Sequence, residues 1–232
     1  MKFIPIASSS SGNCYRVLGS NSQILIEAGI PFKEIQKALD FRVSGLSGVL
    51  ISHEHQDHAK AVLDLLRHGV DVYLSHGTKQ ALGLDHHRLK VIQPGKKFKI
   101  GEFLVFPFEV QHDAKEPLGF LILDKKDKLL FATDTYYIRY VFKGLTIIAV
   151  ECNYSEEILR ENIINGITPV EMKKRLIKSH FSLENYVEFL KANDLSSVRE
   201  IWLIHMSDRN SDSEMFKEKI EALTGKPVYT PI

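Results

Sequence analysis

The chain has 232 residues, and its 30 lysines and arginines nearly cancel its 29 aspartates and glutamates, which leaves a formal net charge of +1. This balance provides no overall attraction to nucleic acid or to an anionic membrane surface, and two cysteines exclude a disulfide scaffold and a four-cysteine zinc site. Hydrophobic residues make up 44% of the chain, enough for a sizeable core. No apolar run approaches the roughly 18 residues of a membrane span, so we expect a cytoplasmic protein without membrane contacts.

The first half of the chain is predicted to alternate short strands with helices. Apolar runs bounded by turn residues predict strands at residues 3–6, 15–18, 23–27, 48–51 and 71–74. Apolar residues at helical spacing predict helices over residues 31–39, 59–66 and 77–82. Further strands are expected at residues 98–109, 118–123, 129–133 and 146–150.

Helices dominate the prediction for the second half. Thr168 as N-cap, Pro169 at the first helical position and Glu171 at the third predict a helix start. Ser211 and Glu214 predict a second capped helix over residues 215–223, and a strand at residues 201–205 precedes it. The sequence contains no linker or repeat, so we predict one domain over residues 1–232, of fold class α/β, with two sheets covered by helices.

Residues 52–58, with the sequence Ser-His-Glu-His-Gln-Asp-His, concentrate four ligand-type side chains: His53, His55, Asp57 and His58. Imidazoles and carboxylates bind zinc, iron and manganese. Alternation places His53 and His55 on one side of an extended loop, and Asp57 and His58 follow at the turn into the next helix. Crowded protonated imidazoles would repel one another, which argues against a solvated loop and for a site with two metal ions.

Three later side chains could complete such a site, because each ends a predicted apolar strand. His112 follows the apolar run at residues 103–110, Asp134 follows that at 129–133, and His205 ends that at 201–204. Strand ends are rigid positions for ligands. Singly, each residue would be interpreted as a turn or cap residue, but together with the histidine loop they become ligand candidates.

The loop His53-x-His55-x-Asp57-His58 and the order of the three later candidates resemble the metallo-β-lactamase superfamily. The resemblance implies a four-layer αββα sandwich of two mixed sheets flanked by helices. It also implies two divalent metal ions, with zinc as the preferred metal and manganese or iron as alternatives. The first ion would be bound by His53, His55 and His112, the second by Asp57, His58 and His205, and both by Asp134.

Other segments are similar to the YycJ (WalJ-like) family in the nuclease and phosphodiesterase branch. They are residues 8–13, 112–114, 117–120 and 151–154. This branch implies that His180, 25 residues before His205, acts on the leaving group with Glu151 as its partner. The chain departs from the family at residues 179–183, which are Ser-His-Phe-Ser-Leu instead of Gly-His-Leu-Ser-Asn, and at Cys14, where serine is usual.

The implied activity is phosphodiester hydrolysis, on DNA, RNA or a small phosphodiester. The nucleophile would be a hydroxide that bridges the two ions and is oriented by Asp57 and Asp134, and His180 with Glu151 would protonate the leaving group. Ser9, Ser10 and Asn13 lie in a predicted turn that could bind a phosphate. A turn without a binding role fits these residues equally well. A thioesterase or lactamase on the same fold, and a metal-binding module without catalysis, are the alternatives. The metal, the choice between DNA and RNA, exo- or endo-cleavage and the oligomeric state stay open.

Overall fold

The computed structural model describes residues 1–231 and divides into two compact units. Unit 1 comprises Met1–Glu109 and Ala114–Asp127, and unit 2 comprises Val110–Asp113 and the chain from Lys128 onward. The fold is α/β, with two mixed sheets and flanking helices, which confirms the predicted fold class. The assignment of residues 1–232 to a single domain stays a prediction.

Unit 1 contains a six-stranded sheet whose strands follow one another in chain order. They are β1 (Lys2–Ser9), β2 (Gly12–Leu18), β3 (Gln23–Ile26), β4 (Gly48–Leu50), β5 (Val72–Ser75) and β6 (Leu89–Ile92). The pairs β1–β2 and β2–β3 are antiparallel, whereas β3 to β6 are parallel. Parallel neighbours require crossover connections, and helices provide them: α1 (Phe32–Ala38), α2 (Gln56–Ala59), α3 (Val62–Arg67) and α4 (His76–Leu82).

The core of this sheet forms where the apolar faces of the crossover helices cover the parallel strands. Val49 and Val72 from the strands and Ile35 and Leu65 from the helices are fully buried in one cluster. Unit 1 also contains the antiparallel strands β7 (Phe98–Ile100), β8 (Phe103–Glu109) and β9 (Leu118–Leu123). Burial of the apolar cluster formed by the parallel strands and the crossover helices holds the loop between β4 and α2 in place.

Unit 2 contains four parallel strands in chain order: β10 (Lys128–Ala132), β11 (Ile147–Glu151), β12 (Glu200–Ile204) and β13 (Val228–Tyr229). Every residue of β11 is buried, as is typical of a parallel strand covered on both faces. Helices α5 (Glu156–Ile164), α6 (Val170–Ser179) and α7 (Leu183–Ala192) connect β11 to β12, and α8 (Ser213–Thr224) connects β12 to β13.

Several boundaries differ from the sequence predictions for local physical reasons. Both predicted capping residues are wrong: Pro169 occupies the N-cap of α6 without a side-chain cap, and Asp212 instead of Ser211 caps α8 by accepting from the Met215 N–H. The Thr168 hydroxyl donates to Asn210 instead. The helix predicted over residues 59–66 is observed as α3, which begins three residues later, and only residue 59 belongs to the preceding helix α2. The elements β6, β13, α5 and α7 were not predicted.

Neither cysteine forms a disulfide: Cys14 and Cys152 are buried free thiols, in agreement with the sequence. Burial raises the pKa of both thiols well above the usual range. Within residues 1–231, no helix combines the length and the apolar character that crossing a membrane requires.

Candidate metal centre and acid pair

The histidine loop of unit 1 begins directly after β4 and ends in the short helix α2. His55 is the N-cap residue of α2, and Asp57 and His58 lie within the helix. His53 Nε2 lies 3.0 Å from His55 Nδ1, and His58 Nε2 lies 3.2 Å from Asp57 Oδ2. The strand-to-helix transition therefore groups the four side chains in two close pairs.

A second set of contacts orients two of these imidazoles from behind. The Ser52 hydroxyl lies 2.8 Å from His53 Nδ1, and Glu27 Oε2 lies 3.6 Å from His58 Nδ1. The Glu27 carboxylate, which is fully buried, also accepts a hydrogen bond from the Ser52 N–H at 3.2 Å. These partners on Nδ1 leave Nε2 of both rings directed at the other members of the loop, an arrangement typical of metal-ligating histidines.

The turn between β1 and β2 supports the same loop. The buried Asn13 side chain donates from Nδ2 to the carbonyl oxygens of Ser9, at 3.0 Å, and Asp57, at 3.3 Å. Its Oδ1 accepts from the Tyr15 hydroxyl. Asn13 therefore anchors α2. Ser9 is half-buried and Ser10 is exposed, and the hydroxyl of Ser9 bonds to that of Ser11.

Unit 2 brings His112, Asp134 and His205 together around one carboxylate. Asp134 Oδ2 lies 3.3 Å from His112 Nε2, and Asp134 Oδ1 lies 3.3 Å from His205 Nε2. The two carboxylate oxygens therefore face different imidazoles. His112 Nδ1 lies 3.2 Å from the Ser179 carbonyl oxygen, which directs Nε2 toward Asp134.

Glu151, the last residue of β11, connects the remaining predicted residues of unit 2. Its Oε1 lies 2.6 Å from His180 Nδ1 and 3.0 Å from His205 Nδ1. Its Oε2 accepts hydrogen bonds from the N–H groups of Thr135 and Phe181. Ligand-type atoms of Asp134, Glu151, His180 and His205 all lie within 4.8 Å of one another. The pairing of His180 with Glu151 suggested by family resemblance is thus present in the geometry.

The protonation of His180, Glu151 and His112 follows from burial and from the neighbouring charged side chains. Burial lowers the pKa of His180. The charge of the adjacent Glu151 carboxylate and its hydrogen bond to the ring together outweigh burial, so the pKa of His180 is raised. Burial raises the pKa of Glu151, yet His180 and His205 outweigh it, and the pKa of Glu151 is lowered. For His112, burial dominates over the nearby carboxylates and lowers the pKa, which favours the neutral imidazole that metals bind.

The donor set in each unit suits divalent metal ions. Unit 1 offers three imidazoles and one carboxylate, and unit 2 offers two imidazoles and one carboxylate with both oxygens directed at imidazoles. These nitrogen and oxygen donors fit zinc, manganese or iron. Partners on the remote nitrogen of His53, His58, His112 and His205 provide the outer support that such ligands need.

Two supporting residues were missed from the sequence. Glu27 directly follows β3 and contacts both Ser52 and His58, and Asn153 donates from Nδ2 to the His205 carbonyl oxygen at 2.7 Å. The only available indication for Glu27 was a carboxylate at the end of an apolar run, and for Asn153 its place two residues after Glu151. Neither pattern is specific without the folded contacts.

Comparison with known proteins identifies the family of this chain. The family described as "Beta-lactamase superfamily domain" matches residues 22–206. The chain is 29% identical to the exodeoxyribonuclease WalJ of Streptococcus pneumoniae, with 92% of this chain and 84% of that protein covered. It is 28% identical to the exodeoxyribonuclease YycJ of Bacillus anthracis, with 95% and 88% covered.

Solved structures agree with this family at the level of the fold. The metallo-β-lactamase fold protein YhfI from Bacillus subtilis superposes with a TM-score of 0.77, covering 99% of this chain and 95% of that one. Because the two sequences are only 14% identical, this similarity bears on the fold alone. It confirms the metallo-β-lactamase fold that the histidine loop implied.

Proposed function

The chain belongs to the metallo-β-lactamase superfamily, and from this premise we propose that it is a two-metal-dependent nuclease that hydrolyses phosphodiester bonds in DNA. Two relatives named exodeoxyribonucleases, matched over more than four fifths of their length, support DNA as the substrate and exonucleolytic cleavage as the mode. RNA and small phosphodiesters become the secondary substrates of this proposal, and the cytoplasmic location stays a prediction.

We assign the ligands as the resemblance implies. One ion would be bound by His53, His55 and His112, the other by Asp57, His58 and His205, and Asp134 would bind both. The Asp134 contacts support a bridging role, because its two oxygens face His112 and His205, which belong to different ions in this assignment. Zinc is our first choice of metal, since imidazole-rich sites with carboxylates suit it.

The observation that carries the nuclease proposal is the pair formed by His180 and Glu151. Cleavage of a phosphodiester expels an alkoxide, which needs a proton from a positioned acid. With Nδ1 bonded to the Glu151 carboxylate at 2.6 Å, His180 holds a second proton on Nε2 that it can donate to the leaving oxygen. The same pair argues against a thioesterase or lactamase.

The other predicted residues have complementary roles in the proposal. Metal ions in this site would supply Lewis-acid activation of water and neutralise charge on the phosphate. Asp57 accepts a hydrogen bond from the attacking water and so orients it. Ser9 and Ser10 donate to a phosphate oxygen, whereas Asn13, already bonded to the Asp57 carbonyl oxygen, acts by holding that residue in position.

Replacing His180 with alanine tests the proposed acid. We expect cleavage of a labelled DNA strand to fall by about 10²–10⁴-fold, the usual contribution of a general acid, while the metal content stays that of the native protein. His87→Ala is the matched control, because His87 is an exposed histidine and should have no effect on cleavage. Unimpaired cleavage by His180→Ala would contradict the acid role, and a metal-loaded native protein inert on DNA, RNA and bis(p-nitrophenyl) phosphate would refute the nuclease.

A further inference from the structure

The segment that follows Asp134 in unit 2 is unusually aromatic and partly exposed. Tyr136 and Tyr137 come two and three residues after Asp134, with 38% and 56% of their surface exposed. Arg139 and Tyr140 follow, and the Arg139 guanidinium lies 5.8 Å from the centre of the Tyr140 ring. Exposed tyrosines beside a proposed reaction centre need a reason, because burial of an aromatic ring is favourable.

The backbone of this segment is held by the chain neighbours of His112 and Asp134. The Tyr136 N–H donates to the Gln111 carbonyl oxygen, one residue before His112, and the Tyr137 N–H donates to the Thr135 hydroxyl. The Thr135 N–H in turn donates to Glu151 Oε2 at 3.0 Å. The two exposed tyrosines are therefore presented on a fixed backbone, not on a loose loop.

Tyr137 borders a cavity of about 270 Å³ between residues 137–141 and helix α7. Its walls include Tyr140, Phe181 and Phe189, and Phe181 directly follows His180. The volume lies just below the range of about 300–1,000 Å³ typical of pockets for drug-sized ligands. It suits a flat group the size of a single nucleobase.

The charged residues around the cavity provide no net attraction for a phosphate. The carboxylate of Glu188, which also pairs with Lys191, and the guanidinium of Arg139 both line the cavity, so their opposite charges offset each other. The Asn185 side chain donates from Nδ2 to the Tyr136 carbonyl oxygen and adds a neutral polar edge. Aromatic rings bind every base by its π-face, so such a cavity tolerates all four DNA bases.

We infer that this cavity is a nucleobase subsite, in which Tyr137 stacks on one base of the DNA strand near the scissile phosphate. The inference rests on the proposed nuclease function and extends it from the phosphate to the base. It offers a chain with a net charge of +1 a source of affinity for the strand, because stacking adds affinity that does not depend on charge.

A scan with abasic DNA tests the subsite. A single-stranded oligonucleotide with phosphorothioate linkages, which resist cleavage, is made with an abasic site at each position in turn, and its binding to the zinc-loaded protein is measured by fluorescence anisotropy. We expect one position at which base removal weakens binding by about 5- to 150-fold, the equivalent of about 1–3 kcal/mol for one stacked base. In Tyr137→Ala this difference should disappear, and in Tyr137→Phe, which keeps the ring, it should remain.

Tyr229→Ala is the matched control, because Tyr229 is 43% exposed in the same unit and does not line the cavity. It should keep the native response to base removal. Equal binding of intact and abasic strands by the native protein would overturn the subsite, as would an unchanged difference in Tyr137→Ala. Either result leaves the nuclease proposal intact if the unmodified strand is still cleaved, so the two failures are distinguishable.

Discussion

One carboxylate, that of Glu151, connects the two chemical groups of unit 2. Its Oε1 contacts both His180, the proposed acid, and His205, a proposed ligand, while its Oε2 accepts from the backbone next to Asp134 and His180. Because a fully buried carboxylate is stable only with such partners, Glu151 orients both imidazoles at once. Loss of its charge should therefore affect metal binding as well as proton transfer.

Replacing Glu151 with glutamine removes the negative charge of the side chain and keeps its shape. We expect zinc affinity to fall by about 10–100-fold, as for the loss of an outer partner of a ligating histidine, together with a loss of DNA cleavage. Competition with a chromophoric chelator measures the affinity. Glu161→Gln on the exposed side of α5 serves as the control and should bind zinc normally; native zinc affinity in Glu151→Gln would contradict the positioning role.

Among the secondary-structure elements, three strands are followed within two residues by a residue with a left-handed backbone. Glu27 after β3, Asp134 after β10 and His205 after β12 have φ values of 65°, 45° and 53°. A positive φ in a residue other than glycine costs of order 1–3 kcal/mol and is concentrated at functional sites. All three residues belong to the proposed metal centre or its support, which indicates that the strand ends are shaped to aim these side chains.

The helix α2 reaches its position only because glycine occupies residue 29. A Cβ at Gly29 would overlap the carbonyl oxygen of Asp57. Gly29→Ala should displace the residues from His55 to His58, lower the free energy of unfolding by about 1–3 kcal/mol and weaken zinc binding. Urea denaturation and chelator competition measure the two effects.

Gly45→Ala is the control for this substitution, because a Cβ there meets only the terminal nitrogen of the Gln23 side chain, at 3.1 Å. It should change both quantities little. Gly29→Ala with native stability and native zinc affinity would show that α2 does not depend on this close approach.

For the whole molecule, metal binding should contribute to stability, since the proposed ligands extend from residue 53 to residue 205 and are not held together in the unfolded chain. A ligand that binds only the folded state adds about 2.7 kcal/mol at a concentration 100 times its Kd. At roughly 2–4 °C per kcal/mol for a chain of this size, zinc should raise the Tm by roughly 5–11 °C over the chelator-treated protein. A Tm that is the same with zinc and with EDTA, measured by calorimetry, would exclude this coupling.

How much of the molecule could be predicted from sequence depends on the range of the interactions involved. The four residues of the histidine loop lie within six positions, and the strands next to the other ligand candidates have local apolar patterns, so their residue types and places could be read directly. The cap of α6 was predicted wrongly because Thr168 bonds instead to Asn210, 42 residues away, and the cap of α8 because Asp212 accepts from the Met215 N–H in place of Ser211.

The α/β class and the candidate ligands could be predicted from the sequence, because they depend on local periodicity and on side-chain chemistry, and the resemblance of the histidine loop implied the family. That Glu27 supports His58, that Glu151 contacts both His180 and His205, and that Tyr137 borders a cavity became apparent in the folded structure alone. These contacts join residues up to 54 positions apart. Hydrogen bonding and burial at such separations arise from packing, which no local pattern encodes.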